Sequence, residues 1–136
     1  LEAGKFDSLS KIHKYLFDEI YHFAGEIRDV NLAKSNFRFA PVMYLKPALE
    51  HIDNMPQSTY EEIIEKYVEM NVAHPFREGN GRTTREFIRQ LALRNGYNLD
   101  LSKFAPEDIL RASIESVVDM NKLQGIIYTA LIEVEE

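Results

Sequence analysis

No cysteine occurs among the 136 residues, so neither a disulfide framework nor a thiolate metal site is possible. No apolar run approaches the roughly 20 residues needed to cross a bilayer. The opening stretch, LEAGKFDSL, lacks the basic and then apolar pattern of a signal peptide. These absences suit a chain that works in the cytoplasm and away from membranes. Positive charge is also in deficit. With 16 basic and 22 acidic residues the formal charge is -6, which works against direct binding of nucleic acid through the whole surface. Internal repeats and low-complexity segments are absent as well. The chain does not begin with methionine and reads as a piece of a longer protein, expected to form one domain over residues 1–136.

What the chain does have is apolar residues at 45%, enough for a core, and they recur at helical spacing. Leu9, Ile12, Leu16, Ile20 and Phe23 predict one helix that runs to Gly25. Phe37 and Phe39 alternate around Arg38, just before Pro41, and predict a short hairpin. A helix over Pro41 to Met55 would use Met43, Leu45, Leu49 and Ile52, with Pro47 disturbing its early part. Ser58 and Glu61 form a capping-box pattern for the next helix, whose apolar face runs through Tyr60, Ile63, Ile64, Tyr67 and Met70. Pro75 should hold His74 extended and stop that helix. Another helix follows from near Arg82 to Arg94, ended by Asn95 and Gly96. Asn98 to Ala105 reads as a connector, and Pro106 to Val117 and Met120 to Ile132 as the last helices. The expected fold is all-α, a helical bundle with one small extended element. His13, His22 and His51 lack HExxH-type spacing and read as surface or locally hydrogen-bonded histidines.

One stretch departs from this ordinary helical text: HPFREGNGRTTR, residues 74–85. Glycines ahead of a helix let backbone N–H groups converge on an anion, and Arg82 and Arg85 add guanidinium forks that suit phosphate oxygens. A plainer reading keeps Gly79 and Gly81 as a tight turn, Asn80 as a helix cap, and Arg82, Arg85 and Arg89 on a solvated face. Glu78 narrows the choice of anion. A carboxylate repels phosphate unless magnesium bridges the two, and magnesium needs few protein ligands because water and substrate oxygens fill the rest. A salt bridge from Glu78 to Arg77, Arg82 or Arg85 is the alternative. His74, four residues earlier, is suited to take a proton from a hydroxyl near neutral pH. Phe76, between them, is placed to anchor the loop in the core. The spacing fits neither a P-loop nor a dinucleotide-binding fingerprint.

His74, Phe76, Glu78, Gly79, Asn80, Gly81, Arg82 and Arg85 meet the pattern H-x-F-x-[D/E]-G-N-G-R-x-x-R in full, and the chain resembles the Fic family from about Leu9 to about Gly96. The resemblance implies a Fic-like helical bundle with a small β-hairpin flap. It also implies a protein adenylyltransferase: AMP passes from ATP to a tyrosine, threonine or serine hydroxyl of a target protein, and pyrophosphate leaves. By that resemblance His74 is the general base and Glu78 the Mg2+ ligand. Gly79, Asn80 and Gly81 form the loop for the inner phosphates. Arg82 helps to hold the triphosphate, while Arg85 holds its terminal phosphate and orients the α phosphorus. Lys34 to Leu45 is similar to the flap, where Phe37, Arg38 and Phe39 would align the target by backbone pairing. Phe39 fits either contact with the target residue or the core.

Many relatives carry an inhibitory helix with the motif [S/T]-x-x-x-E-[G/N], within the chain or on a small antitoxin partner. Thr129 to Glu133 has this spacing but is followed by Val134, and Ser58 to Glu62 is followed by Ile63, so neither meets the motif. The inhibitory helix is therefore expected in a missing segment or on a partner, or is absent. Alternatives remain: transfer of a different nucleotide or phosphate-containing group, or an inactive or inhibited helical binding module. A kinase-type relative carries lysine where Gly81 stands, and glycine argues against that chemistry. Some relatives are bacterial toxins, but no flap residue assigns a target here.

Overall fold

A computed structural model describes residues 3–34 and 37–134, with residues 34 and 37 described by their backbone alone. Its elements in order are α1 (Phe6–Phe17), β1 (Ala33–Lys34), β2 (Phe37–Arg38), α2 (Val42–Asp53), α3 (Tyr60–Ala73), α4 (Asn80–Arg94), β3 (Tyr97–Leu99), α5 (Pro106–Glu115), α6 (Asn121–Ala130) and β4 (Leu131–Glu133). Helix α4 lies at the centre and packs against α1, α3 and β3. Its Thr83, Thr84, Phe87, Ile88, Leu91 and Ala92 form the buried stripe. Phe87, Ile88, Leu91 and Ala92 meet Ile63, Ile64, Tyr67 and Met70 of α3 in one core cluster, as the periodicity predicts. Each fully buried Leu, Ile or Phe contributes about 1.5–3 kcal/mol. Among the described residues no helix is long and apolar enough to cross a membrane.

The predicted hairpin is present as β1 and β2, antiparallel, with Ala33 opposite Arg38 and Lys34 opposite Phe37. A second antiparallel pair was not legible. Strand β3 pairs with β4, placing Tyr97 opposite Glu133 and Leu99 opposite Leu131. The predicted connector and the end of the predicted last helix are thus both extended. Neither stretch has a period-2 pattern long enough to announce a strand, and their pairing partners are distant in sequence.

Three further expectations are corrected. Helix α1 ends at Phe17 rather than near Gly25, and Ile20 is 67% exposed. The residues after it turn through bonds such as Ile20 N–H to Phe17 O and Glu26 N–H to Phe23 O, which fold Tyr21 back onto Phe17 and Phe23 onto Tyr21. Met43 is 74% exposed, whereas Leu45, Leu49 and Ile52 of α2 are buried. The cap of α3 is Thr59 with Glu62, one residue beyond the expected pair. STYEE contains both capping frames, and the later one bonds Thr59 Oγ1 and the Glu62 carboxylate reciprocally.

Candidate active site

The loop begins where α3 ends. His74 adopts φ 48 and ψ 62, the left-handed region, and among the described residues it is the one non-glycine with positive φ. Extended backbone was expected. Pro75 excludes right-handed helix at His74 but leaves this second exit, at a cost of about 1–2 kcal/mol for a residue with a Cβ. Contacts hold it there. The His74 N–H donates to Met70 O at 3.1 Å, and the His74 carbonyl accepts from Arg28 Nε at 2.7 Å. Ring Nδ1 lies 3.1 Å from the Asn71 carbonyl. A carbonyl only accepts, so the neutral ring carries its proton on Nδ1 and Nε2 is the basic nitrogen. Phe39 stacks on the imidazole with 3.7 Å between centroids and 12° between planes. Phe39 is therefore buried against His74, which settles its orientation towards the interior. Arg38 is exposed on the hairpin, and the Phe37 side chain lies outside the described residues.

Beyond Phe76 the chain is shaped from within. Phe76 is fully buried and stacks on His13 at 3.9 Å. Asn80 is buried too. Its Oδ1 accepts from Phe76 N–H at 2.8 Å and its Nδ2 donates to Phe76 O at 2.6 Å, so its side chain braces the loop rather than capping the helix. Gly79 is the residue before α4, with φ 79, and a Cβ there would sit 2.4 Å from Phe17 Cε2. Only glycine meets both demands. The first intrahelical bond of α4 runs from Thr83 N–H to Gly79 O, so the N–H groups of Asn80, Gly81 and Arg82 precede the ladder, as an anion site at a helix start requires.

His13 was expected at the surface or in a local bond, and the surface part is corrected. It is fully buried, and Gly25 N–H donates to its Nδ1 at 2.8 Å. Nε2 must then carry the proton, which goes to the Glu78 carbonyl at 2.8 Å. Burial lowers the His13 pKa from its usual 6.5, against a smaller opposing effect of the Glu78 bond. His22 and His51 are exposed.

The charged side chains divide. Glu78 is exposed, and none of the ion pairs among the described residues includes it, which disfavours the salt-bridge reading. Arg77 lies over Phe23 and Arg82 over Phe17, at 5.5 and 5.9 Å, while Arg89 pairs with Glu86. Arg85 approaches Gly81 closely enough that an added Cβ would lie 3.1 Å from its Nη1. It also faces Tyr67, whose hydroxyl burial pushes up to about 12 and Arg85 draws partly back.

His74, Gly81, Arg85 and Phe39 line one cavity of about 530 Å³, whose lining also includes Leu101, Phe104, Ile109 and Leu110. That volume suits a small-molecule ligand. Arg82 lines a neighbouring cleft of about 680 Å³ between α1 and α4, which shares Arg85 with the first. Glu78, Gly79 and Asn80 line neither. Among the described residues no three His, Asp or Glu side chains cluster as a metal site.

Arg28 is the residue that sequence reading missed. It is 2% exposed, and burial lowers its pKa from the ordinary value, yet an arginine stays charged. Nothing in GEIRDV separates it from a surface arginine. The two near-matches to the inhibitory motif are likewise resolved. The Glu62 carboxylate accepts from Ser58 and Thr59 N–H, which holds it below the usual carboxylate range, and Glu133 lies in β4 rather than on a helix.

Residues 5–92 match the Fic/DOC family. The chain belongs to that family. Protein adenylyltransferase VbhT of Bartonella schoenbuchensis is 39% identical over 127 residues, spanning 84% of this chain and 27% of VbhT. The chain thus corresponds to about a quarter of that relative's length. A probable protein adenylyltransferase Fic of Salmonella typhimurium is 31% identical over 140 residues, 94% of this chain and 70% of that protein. Among solved structures, BepC of Bartonella tribocorum with bound AMPPNP superposes with a TM-score of 0.82 at 21% identity, covering 99% of this chain and 78% of that one. At that identity the likeness speaks for the Fic fold.

Proposed function

We propose that this Fic-family chain is a protein adenylyltransferase that moves AMP from ATP to a tyrosine, threonine or serine hydroxyl of a target protein. The observation that carries the proposal is the convergence of His74, Gly81 and Arg85 on one cavity beside the start of α4. Relatives named protein adenylyltransferases, and the nucleotides AMPPNP and ADP bound in two Fic structures, support it. Residues 1–136 are read as one catalytic domain.

In this reading the Asn80, Gly81 and Arg82 N–H groups and the Arg82 and Arg85 guanidinium groups bind the phosphates and turn the α phosphorus towards the target. The target segment pairs with the flap, where Phe37, Arg38 and Phe39 lie. Its hydroxyl oxygen bonds to the α phosphorus, the bond from that phosphorus to the bridging oxygen breaks, and pyrophosphate leaves with the electron pair. His74 Nε2 takes the hydroxyl proton. Orientation and charge neutralisation supply most of the rate, as in phosphoryl transfer generally. Glu78 fits a magnesium ion that draws its other ligands from water and phosphate, because its carboxylate is exposed and outside the described ion pairs. When bound, that ion would neutralise phosphate charge. An inhibitory helix, where one operates, would come from a segment or partner outside the described residues.

The test uses Mg2+, whole-cell protein and ATP labelled at either the α or the γ phosphate. Label from the α position should appear on protein with the unaltered chain and vanish with His74→Ala, while nucleotide binding persists. Transfer of γ label alone would assign a kinase. Absence of His74-dependent label would assign a binding or inhibited module.

A further inference from the structure

We propose that Arg28 is a positioning residue for this reaction, a buried guanidinium that sets the left-handed state of His74 and fastens it to the base of the flap. The proposal rests on the adenylyltransferase reading. Arg28 engages three consecutive carbonyls at the exit of α3. Its backbone N–H donates to Pro75 O at 2.8 Å, its Nε to His74 O at 2.7 Å, and its Nη2 to Ala73 O at 3.1 Å. The other bonds reach the hairpin: Nη1 to Val30 O at 2.7 Å and Nη2 to Ala40 O at 2.5 Å. Ala40 N–H in turn donates to Val72 O at 3.2 Å.

Chemistry explains why an arginine stands there. The last carbonyls of a helix carry partial negative charge and lack intrahelical partners, so a cation at that end is favoured. All these side-chain bonds go to carbonyl oxygens, and none of the ion pairs among the described residues includes Arg28. Such an arrangement needs several donors in one rigid plane. A lysine brings charge but only a single point of donation. Two consequences follow for His74. Fixing its carbonyl fixes the backbone that aims the ring, and fixing Ala40 holds the adjacent Phe39 against the ring face. The base and the surface that presents the target are thereby held in one frame.

Arg28→Lys tests this, with His74 observed by ring nitrogen NMR and transfer of α label measured alongside. In the unaltered chain His74 should show one tautomer, protonated at Nδ1. The variant should melt cooperatively and bind Mg2+ and ATP within about twofold of the unaltered chain, but His74 should sample both tautomers. Its kcat should fall by about 10²-fold, the scale expected for a catalytic group displaced by roughly 1 Å, with KM for ATP unchanged. An unaltered tautomer and kcat would overturn the proposal, as would equal losses of ATP binding and kcat, which mark a general structural role. Should the variant not fold, the unaltered chain still decides. The Arg28 Nε–H and His74 Nδ1–H signals should lose solvent protection together in urea below the unfolding transition, and separate loss would overturn the coupling. If the unaltered chain transfers no label, the adenylyltransferase reading fails, while the tautomer and exchange measurements still report on Arg28.

Discussion

Gly79→Ala should be among the costlier single-methyl additions in this protein. The position has φ 79, and the new Cβ would lie 2.4 Å from Phe17 Cε2 and 2.8 Å from Cζ. The left-handed backbone alone costs a residue with a Cβ about 1–2 kcal/mol. Pressing a methyl group into the Phe17 ring adds about 1–3 kcal/mol, because Phe17 is packed among His13, Tyr21 and the loop. Reduced freedom of the unfolded chain returns about 0.4–1 kcal/mol. The net loss is about 1–5 kcal/mol, against the roughly 7–20 kcal/mol expected for a chain of this size. Urea unfolding should show a lower midpoint at unchanged slope. A double-mutant cycle with Phe17→Ala separates the parts: the steric share should vanish with the ring, giving a coupling of about 1–3 kcal/mol, while the backbone share remains. A loss under about 0.5 kcal/mol, or no coupling, would refute the assignment of Gly79 to a position that only glycine fills. Binding of ATP should weaken as well, since Gly79 sets where the α4 N–H groups point.

His13 should make stability pH-dependent. Its folded pKa lies below the unfolded 6.5, so the unfolded chain takes up the proton first as pH falls. The contribution of neutral His13 is complete above that value and is lost below it, towards the folded pKa. Urea midpoints should begin to drop as pH falls through about 6.5 and keep dropping below it, and His13→Phe should remove that share of the drop. Asn80→Ala leaves the buried Phe76 N–H and carbonyl without their side-chain partner, at about 1–3 kcal/mol for each orphaned group; calorimetry should find a lower Tm. Glu78→Gln should weaken ATP binding in Mg2+ while leaving the weaker binding seen with a chelator nearly unchanged, and equal affinities in both conditions would remove Glu78 from metal binding.

The residues of the candidate site were legible as a motif because they are contiguous. Within twelve residues, covalent spacing alone brings a histidine, a carboxylate, two glycines and three arginines to one loop and the helix start that follows it, whatever surrounds them. The helices were legible for a related reason: α3 and α4 bury one stripe, and the 3.6-residue period records it. Even the capping box was found within one residue, because STYEE offers two overlapping frames that local chemistry cannot rank. Tertiary structure decided what depends on distant partners. Arg28 meets His74 across 46 residues and His13 meets Glu78 across 65, and no local pattern marks either pair. The left-handed turn at His74 belongs to this class. Pro75 forbids one conformation, and the choice between the remaining two falls to a buried guanidinium, a phenylalanine from the hairpin and the carbonyl of Asn71.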